Sequence, residues 1–259
     1  MTHFSAITHS SLTAGQGSKT QTRTAYLIAK VTHMAFKTGG RKCKFESLEN
    51  RQMMAGDVMA AVHAGTLFIK GDNLSNGITI TPGAIPNQVI ITGINAGGSG
   101  TTVNGLTNTA VPINNVTMDI KIKMLRGNDI VTVNNLTVNG SLKINTDGGV
   151  DTVTVNASTI CGDLEVNTGG SADTVTVTNT LVNGEAEFRT GGDCDHLTIT
   201  ASTLGELDVH LEEGNDTLAI TNTQVVTETS LNGDQGINTF MNGGSNFFSG
   251  IYNKKNLNG

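Results

Sequence analysis

Through the middle of the chain, apolar and polar residues alternate in short runs, and the runs return at a fixed step. Asp129-Ile-Val-Thr-Val133 is followed by copies from Asp151 to Val155, Asp173 to Val177, Asp195 to Ile199 and Asp216 to Ile220. The successive Asp positions differ by 22, 22, 22 and 21 residues. One further step reaches Asn238, Thr239, Phe240 and Met241, a degenerate copy at the end of the array. A second apolar pair keeps the same step: Ile120/Ile122, Leu142/Ile144, Leu164/Val166, Ala186/Phe188 and Leu207/Val209. Strict alternation is the pattern of a half-buried strand, so each repeat predicts two strands. A third short apolar site, around Val138, Ile160, Leu181 and Leu204, predicts one more side.

Asn, Ser, Thr and Gly fill the intervals. Gly140, Gly162, Gly184 and Gly205 precede the second strand, and Gly148-Gly149, Gly169-Gly170, Gly191-Gly192 and Gly214 precede the Asp. Read from sequence, both sets supply corners with φ > 0. A 22-residue unit is too short for a helix-bearing leucine-rich repeat or a ~40-residue propeller blade and fits one coil of a parallel β-helix. The expected fold class is therefore all-β, a single-stranded right-handed parallel β-helix. Its rungs would lie ~4.8 Å apart, so that Val131, Val153, Val175, Leu197 and Leu218 form one inward column and Val133, Val155, Val177, Ile199 and Ile220 the next. About seven or eight coils are expected from Gly65 to Gly244. Residues 61–107 read as irregular first coils or an N-terminal cap, with strands near Thr66, Gly77, Val89 and Thr101. Residues 108–242 read as the regular helix, and 243–259 as a C-terminal cap or tail in which Phe247 and Phe248 plug the open end.

Composition narrows the class further. The 259 residues include 32 Gly but only 3 Pro, no Trp and 2 Tyr, with 15% charged residues, which excludes collagen and argues against a linker. A net charge of −6 removes the electrostatic reason to expect nucleic acid or an anionic membrane surface as partner. No run of about 18 apolar residues is present, so no transmembrane segment is predicted.

Residues 1–60 differ from the rest. They hold 8 of the 16 basic residues (Lys19, Arg23, Lys30, Lys37, Arg41, Lys42, Lys44 and Arg51) and no copy of the repeat. Arg41, Lys42 and Lys44 precede Phe45, Glu46, Leu48, Glu49, Arg51, Met53, Met54 and Ala55. That stretch resembles the short F-E-x-L-E-x-R-x-L-L-A motif of predicted exported proteins of planctomycete bacteria, with Met53 and Met54 in place of the usual Leu pair. The resemblance implies export and removal of the segment near Ala55 or Ala60. The apolar core of an ordinary signal peptide is missing after Lys44, so a basic tail that stays on is the competing reading. The repeats also resemble, in pattern, β-helical surface and adhesin-like proteins of bacteria.

Several constellations are candidates for chemistry. Asp129, Asp151, Asp173, Asp195 and Asp216 form a column that suits Ca²⁺, which gathers carboxylate and turn-carbonyl oxygens. The competing reading is a set of turns in which each Asp accepts N–H groups of its own corner. Lys121, Lys143, Glu165, Glu187 and Asp208, flanked by Asp163, Glu185 and Glu206, form an exposed column on the second strand. Two carboxylates about 5 Å apart suit a retaining glycosidase. A lyase would need a base beside the acids, and Arg189 is the candidate; Glu165, Glu187 and Arg189 are thus the catalytic set of an enzyme reading. Against it, the repeats contain no Trp or Tyr to stack on sugar. Thr132, Thr154, Thr176 and Thr198, with Thr152, Thr174 and Thr217, point outward as in ice-binding faces, but Ile130, His196 and Ala219 interrupt the grid. His196, His210, Cys194 and Asp208 lie near one another without metal-ligand spacing. Cys161 and Cys194, one and a half coils apart, are expected as free thiols, with Cys161 the one placed for burial.

The function expected from these residues is an exported, non-catalytic structural, adhesive or carbohydrate-binding protein, secreted or at the cell surface, with an extracellular glycan or a surface protein as partner. The alternatives are a polysaccharide lyase or glycoside hydrolase, and a calcium-stabilised repeat protein. Catalysis needs unlike groups brought together by a local break in regularity, and the repeats show one only between Glu185 and Asp195.

Overall fold

The computed structural model describes residues 56–96 and 100–259. Among them the chain is all-β without a helix, and its parallel strands stack about 22 residues apart into a solenoid of about six turns. The register is the one that the repeat dictates. On the first face Val153 lies between Val131 and Val175, and the column continues through Leu197, Leu218 and Phe240. Val133, Val155, Val177, Ile199 and Ile220 stack beside it, all buried. On the second face Leu142, Leu164, Ala186 and Leu207 form one inward column, and Ile144, Val166, Phe188, Val209 and Leu231 the other. Like residues on adjacent rungs bury each other, which a lone coil cannot achieve.

The short third side pairs Val138 with Ile160, Ile160 with Val182, Val182 with Leu204 and Leu204 with Val225. Here the expectation needs correcting by one residue. Val182 is buried, while Leu181 faces outward with 39% of its surface exposed. A shift of one position exchanges the two faces of a strand, and the neighbouring rung, Thr159 opposite Leu181, sets which residue goes in.

The two glycine sets do different work. At the corner before each Asp, Gly169 and Gly191 take φ of 93° and 96°, in column with the left-handed Leu125, Asp147 and Glu212. Gly140, Gly162, Gly184 and Gly205, and Gly214 of the other set, do not adopt positive φ, contrary to the sequence reading. They are required by close approach instead: a β-carbon on Gly184 would lie 2.1 Å from Asp163 Oδ1, and one on Gly205 2.4 Å from the Asn183 carbonyl oxygen.

The array is shorter than the seven or eight coils expected because the first turn is long. Thr66–Lys70 stacks directly on Ile120–Lys123, and Gly77–Pro82 on Ile130–Asn134. The chain between them includes Val89–Ile94, which adds antiparallel to Gly77–Pro82, and Ala110–Ile113, which adds antiparallel to Val89–Ile94, while Asp57–His63 pairs antiparallel with Thr66–Lys70. The strand order thus reverses at this end. At the other end Gly243 to Asn256 is not merely a polar lid. Phe247–Phe248 and Tyr252–Lys255 add parallel strands to the short side and to the second face. Phe248 packs against the core and stacks on Tyr252 with ring centroids 5.2 Å apart, whereas Phe247 is exposed.

Candidate functional site

The outward side of the second face is the most strongly charged regular surface of the rod. Parallel pairing in register converts a 22-residue repeat into rows: Phe68, Lys121, Lys143, Glu165, Glu187, Asp208 and Ser230 follow one another rung by rung. Beside them run Lys70, Lys123, Asn145, Asn167, Arg189, His210 and Asn232. Charge therefore changes sign along the rod, basic near the first coils and acidic from Asp163 onward. The sequence-derived set Glu165, Glu187 and Arg189 is brought together, on two adjacent rungs.

These charges are already matched in pairs. Lys143 bonds to Glu165, and that contact raises the Lys143 pKa above its ordinary value. Arg189 bonds to Glu187 within its own strand, so the candidate lyase base is engaged by the candidate acid. Lys121 lies 3.7 Å from Asp119 and Lys123 lies 3.4 Å from Asp147. His210 sits between two carboxylates, Nε2 3.4 Å from Asp208 and Nδ1 3.3 Å from Asp234. Lys70, Asp163, Glu185 and Glu206 stand outside these pairs, and at Glu185 burial first, and then Glu206, Glu187 and Asp208, push the carboxyl upward. A groove of about 380 Å³ lies over the basic end, lined by Phe68, Lys70, Lys121, Lys123, Lys143 and Glu165. Lys121 also approaches the Phe68 ring, 5.9 Å from its centroid. Of the catalytic set of the enzyme reading, Glu165, Glu187 and Arg189, Glu165 borders this groove and the other two do not.

The aspartate column lies on the other face and inside. Asp129, Asp151, Asp173, Asp195 and Asp216 are each no more than 2% exposed. Nor do they cap their own corners, as the turn reading supposed. Each Oδ1 accepts the backbone N–H of the equivalent residue one coil earlier: Asp129 N–H to Asp151, Asp151 N–H to Asp173 and Asp173 N–H to Asp195, all at 2.7 Å, and Asp195 N–H to Asp216 at 2.8 Å. Asn76 and Asn238 occupy the same position at the two ends, Asn76 giving its N–H to Asp129 Oδ1 and Asn238 Oδ1 accepting from Asp216. The inward direction was legible in the sequence: Asp129 stands two and four residues before Val131 and Val133, and an alternation of two places all three on one side of the strand. Among the described residues no group of three or more His, Cys, Asp or Glu is placed to hold a metal ion.

The remaining candidates are dispersed. Thr132, Thr154, Thr176 and Thr198 form one outward row on the first face, which Thr79 extends at one end and Ala219 and Met241 at the other. His196 is on the first face, at the start of the strand His196–Thr200, and His210 is on the second, at the end of the next strand, Thr203–His210. Cys161 and Cys194 are free thiols, and both are exposed, which corrects the burial expected for Cys161. Cys161 follows the inward Ile160 directly, so alternation turns it out. The motif from Phe45 to Ala55 lies outside the described residues. Comparison with known protein families, with curated proteins and with solved structures finds none that matches the chain.

Proposed function

We propose that the protein is an exported, non-catalytic rod that presents long polar faces to an extracellular glycan or to another surface protein. The observation that supports this most directly is the pairing on the charged face. A catalytic acid, nucleophile or base has to reach substrate, yet Glu165, Glu187 and Arg189 are consumed in ion pairs with each other or with Lys143. The regular step around them gives no long loop to wall a cleft. Rigid rows that pass from cations to carboxylates, with amides beside them and an aromatic ring at the groove end, are suited to many weak hydrogen bonds with a polysaccharide or a polar protein surface. Export is supported by the resemblance of the segment from Phe45 to Ala55 to planctomycete export motifs, and by the resemblance of the repeats to bacterial surface β-helices.

The test has two arms. Recovery of the protein from the cells that make it, with sequencing of its N-terminus, is expected to place it in the envelope or the medium; recovery from the cytosol alone overturns the export reading. Affinity electrophoresis in gels containing acidic and neutral algal and plant polysaccharides is expected to show retardation with at least one of them and no new reducing ends or unsaturated uronates. Products that form with the wild type and vanish in Glu187→Ala would establish the lyase or hydrolase instead.

A further inference from the structure

We infer that Asp151, Asp173 and Asp195 are held in the folded rod as neutral carboxylic acids, each donating its own proton, so that the solenoid is a pH-sensitive device which tightens in mild acid and loosens as the column ionises. The argument begins with the hydrogen bonds. In each of the three, Oδ1 takes a backbone N–H from the rung before, while Oδ2 is buried with no partner. An anionic oxygen in a dry interior without a donor is among the least tolerated arrangements in proteins. The neighbouring hydroxyls relieve it only in part. Those of Thr146, Thr168 and Thr190 favour the anions of Asp151, Asp173 and Asp195, respectively, but by less than burial opposes them. Each hydroxyl is also within hydrogen-bond reach of a carbonyl of the following coil, to which it can give its single proton: Thr146 to the Thr168 oxygen at 3.3 Å, Thr168 to the Thr190 oxygen at 3.0 Å and Thr190 to the Leu211 oxygen at 3.1 Å. A hydroxyl oxygen that has spent its proton still has lone pairs to offer. A proton on Oδ2 completes the set, with Oδ2–H donating to threonine and threonine donating to carbonyl.

The ends of the same column supply an independent indication. Asn76 and Asn238 are neutral and shaped like the acid, with an N–H₂ where Asp has Oδ2. Both donate from that atom to backbone carbonyls, Asn76 to Leu74 at 2.7 Å and Asn238 to Gly233. Five residues before these two stand glycines, Gly71 and Gly233, where the three central rungs have threonine. A β-carbon on Gly71 would come within 2.9 Å of Asn76 Nδ2, and one on Gly233 within 2.6 Å of Asn238 Nδ2. Threonine thus accompanies the three central acids and glycine the two amides, whereas Met124 and Leu211 stand five residues before Asp129 and Asp216; at the amide rungs the inner atom of the side chain is a donor.

The carboxylates that face the column oppose its anions, and His196 beside Asp216 is the one facing charge that favours one. Asp151 faces Asp173 and also Asp147, which is 3.4 Å from Lys123; Asp195 faces Asp173 and Asp216. Further along, Asp129 faces Asp72, and Asp216 faces His196, the one imidazole near the column. Burial is the main cause that drives these carboxyls upward, to about 6 for Asp151 and Asp173 and about 7 for Asp195. A group raised in the folded state contributes stability that is complete below its unfolded value of 3.8 and is lost as pH rises through the folded one. The window of loss therefore runs from about pH 4 to about pH 7, with a part of it still ahead at pH 5.

The full chain, melted at pH 5 and pH 8, is expected to lose about 5–10 °C in Tm at the higher pH. Asp151→Asn with Asp173→Asn, which puts the end-rung amide at two central rungs, is expected to flatten that slope and to raise the pH 8 value. A wild-type Tm that is flat or rises over this range, or a slope unchanged in the variant, overturns the inference. Should the variant not fold, carboxyl ¹³C resonances of aspartate in the wild type decide: three buried carboxyls still protonated at pH 5 uphold it, and ionised shifts there refute it.

Discussion

The second face offers a test of how far equivalent positions share one core. Its inward columns read Leu142, Leu164, Ala186, Leu207 and Ile144, Val166, Phe188, Val209. One coil thus replaces the Leu and Val of its neighbours with a smaller and a larger residue two positions apart, and both are fully buried. If neighbouring coils set the spacing of the rungs, total volume within a coil should matter more than where it is placed. Phe188→Val alone should cost about 2 kcal/mol, less than the 3–5 kcal/mol of Phe→Ala, because part of the ring volume is refilled. Ala186→Leu alone should also cost about 2 kcal/mol through overpacking. The double variant restores the Leu-x-Val of Leu164 to Val166 and Leu207 to Val209, and should lose less than about 1.5 kcal/mol where simple addition gives about 4. Urea unfolding followed by circular dichroism measures all four proteins, with m compared among them to confirm a common cooperative transition. A double variant that loses the sum of the single effects to within about 0.5 kcal/mol would refute the shared-volume argument.

Other consequences are simpler. Gly169→Ala should be strongly destabilising, because φ there is 93° and the new β-carbon would lie 1.5 Å from the Asp147 carbonyl oxygen, whereas Gly170→Ala meets nothing within 4 Å; equal thermal shifts for the two would contradict the close-approach account. Val182→Ala should lower the urea midpoint by an amount corresponding to about 1–3 kcal/mol, and Leu181→Ala should change it by under about 0.5, since only the first is in the core.

The length of the coil, the number of strands in it and the columns of Val, Leu and Ile were legible in the sequence. Their information is local and repeated: an alternation of two gives a strand, glycine and asparagine interrupt it, and a step of 22 can be satisfied only if each coil covers the last. The same alternation could have shown that the aspartates point inward, and that the residue before Cys161 rather than Cys161 itself is buried. What no local rule supplied was the partner of each polar group. Oδ1 of Asp173 is satisfied by an N–H 22 residues away, Arg189 is taken up by Glu187 rather than left free, and Gly184 is glycine because Asp163 of the previous coil comes too close for a side chain. At the first turn the sequence left two readings open, irregular coils or a cap, because antiparallel cap strands look like the start of further coils. Repetition along the chain determines which residues stack, since like must bury like; which hydrogen bonds and charges remain open is decided only when one coil is laid against the next.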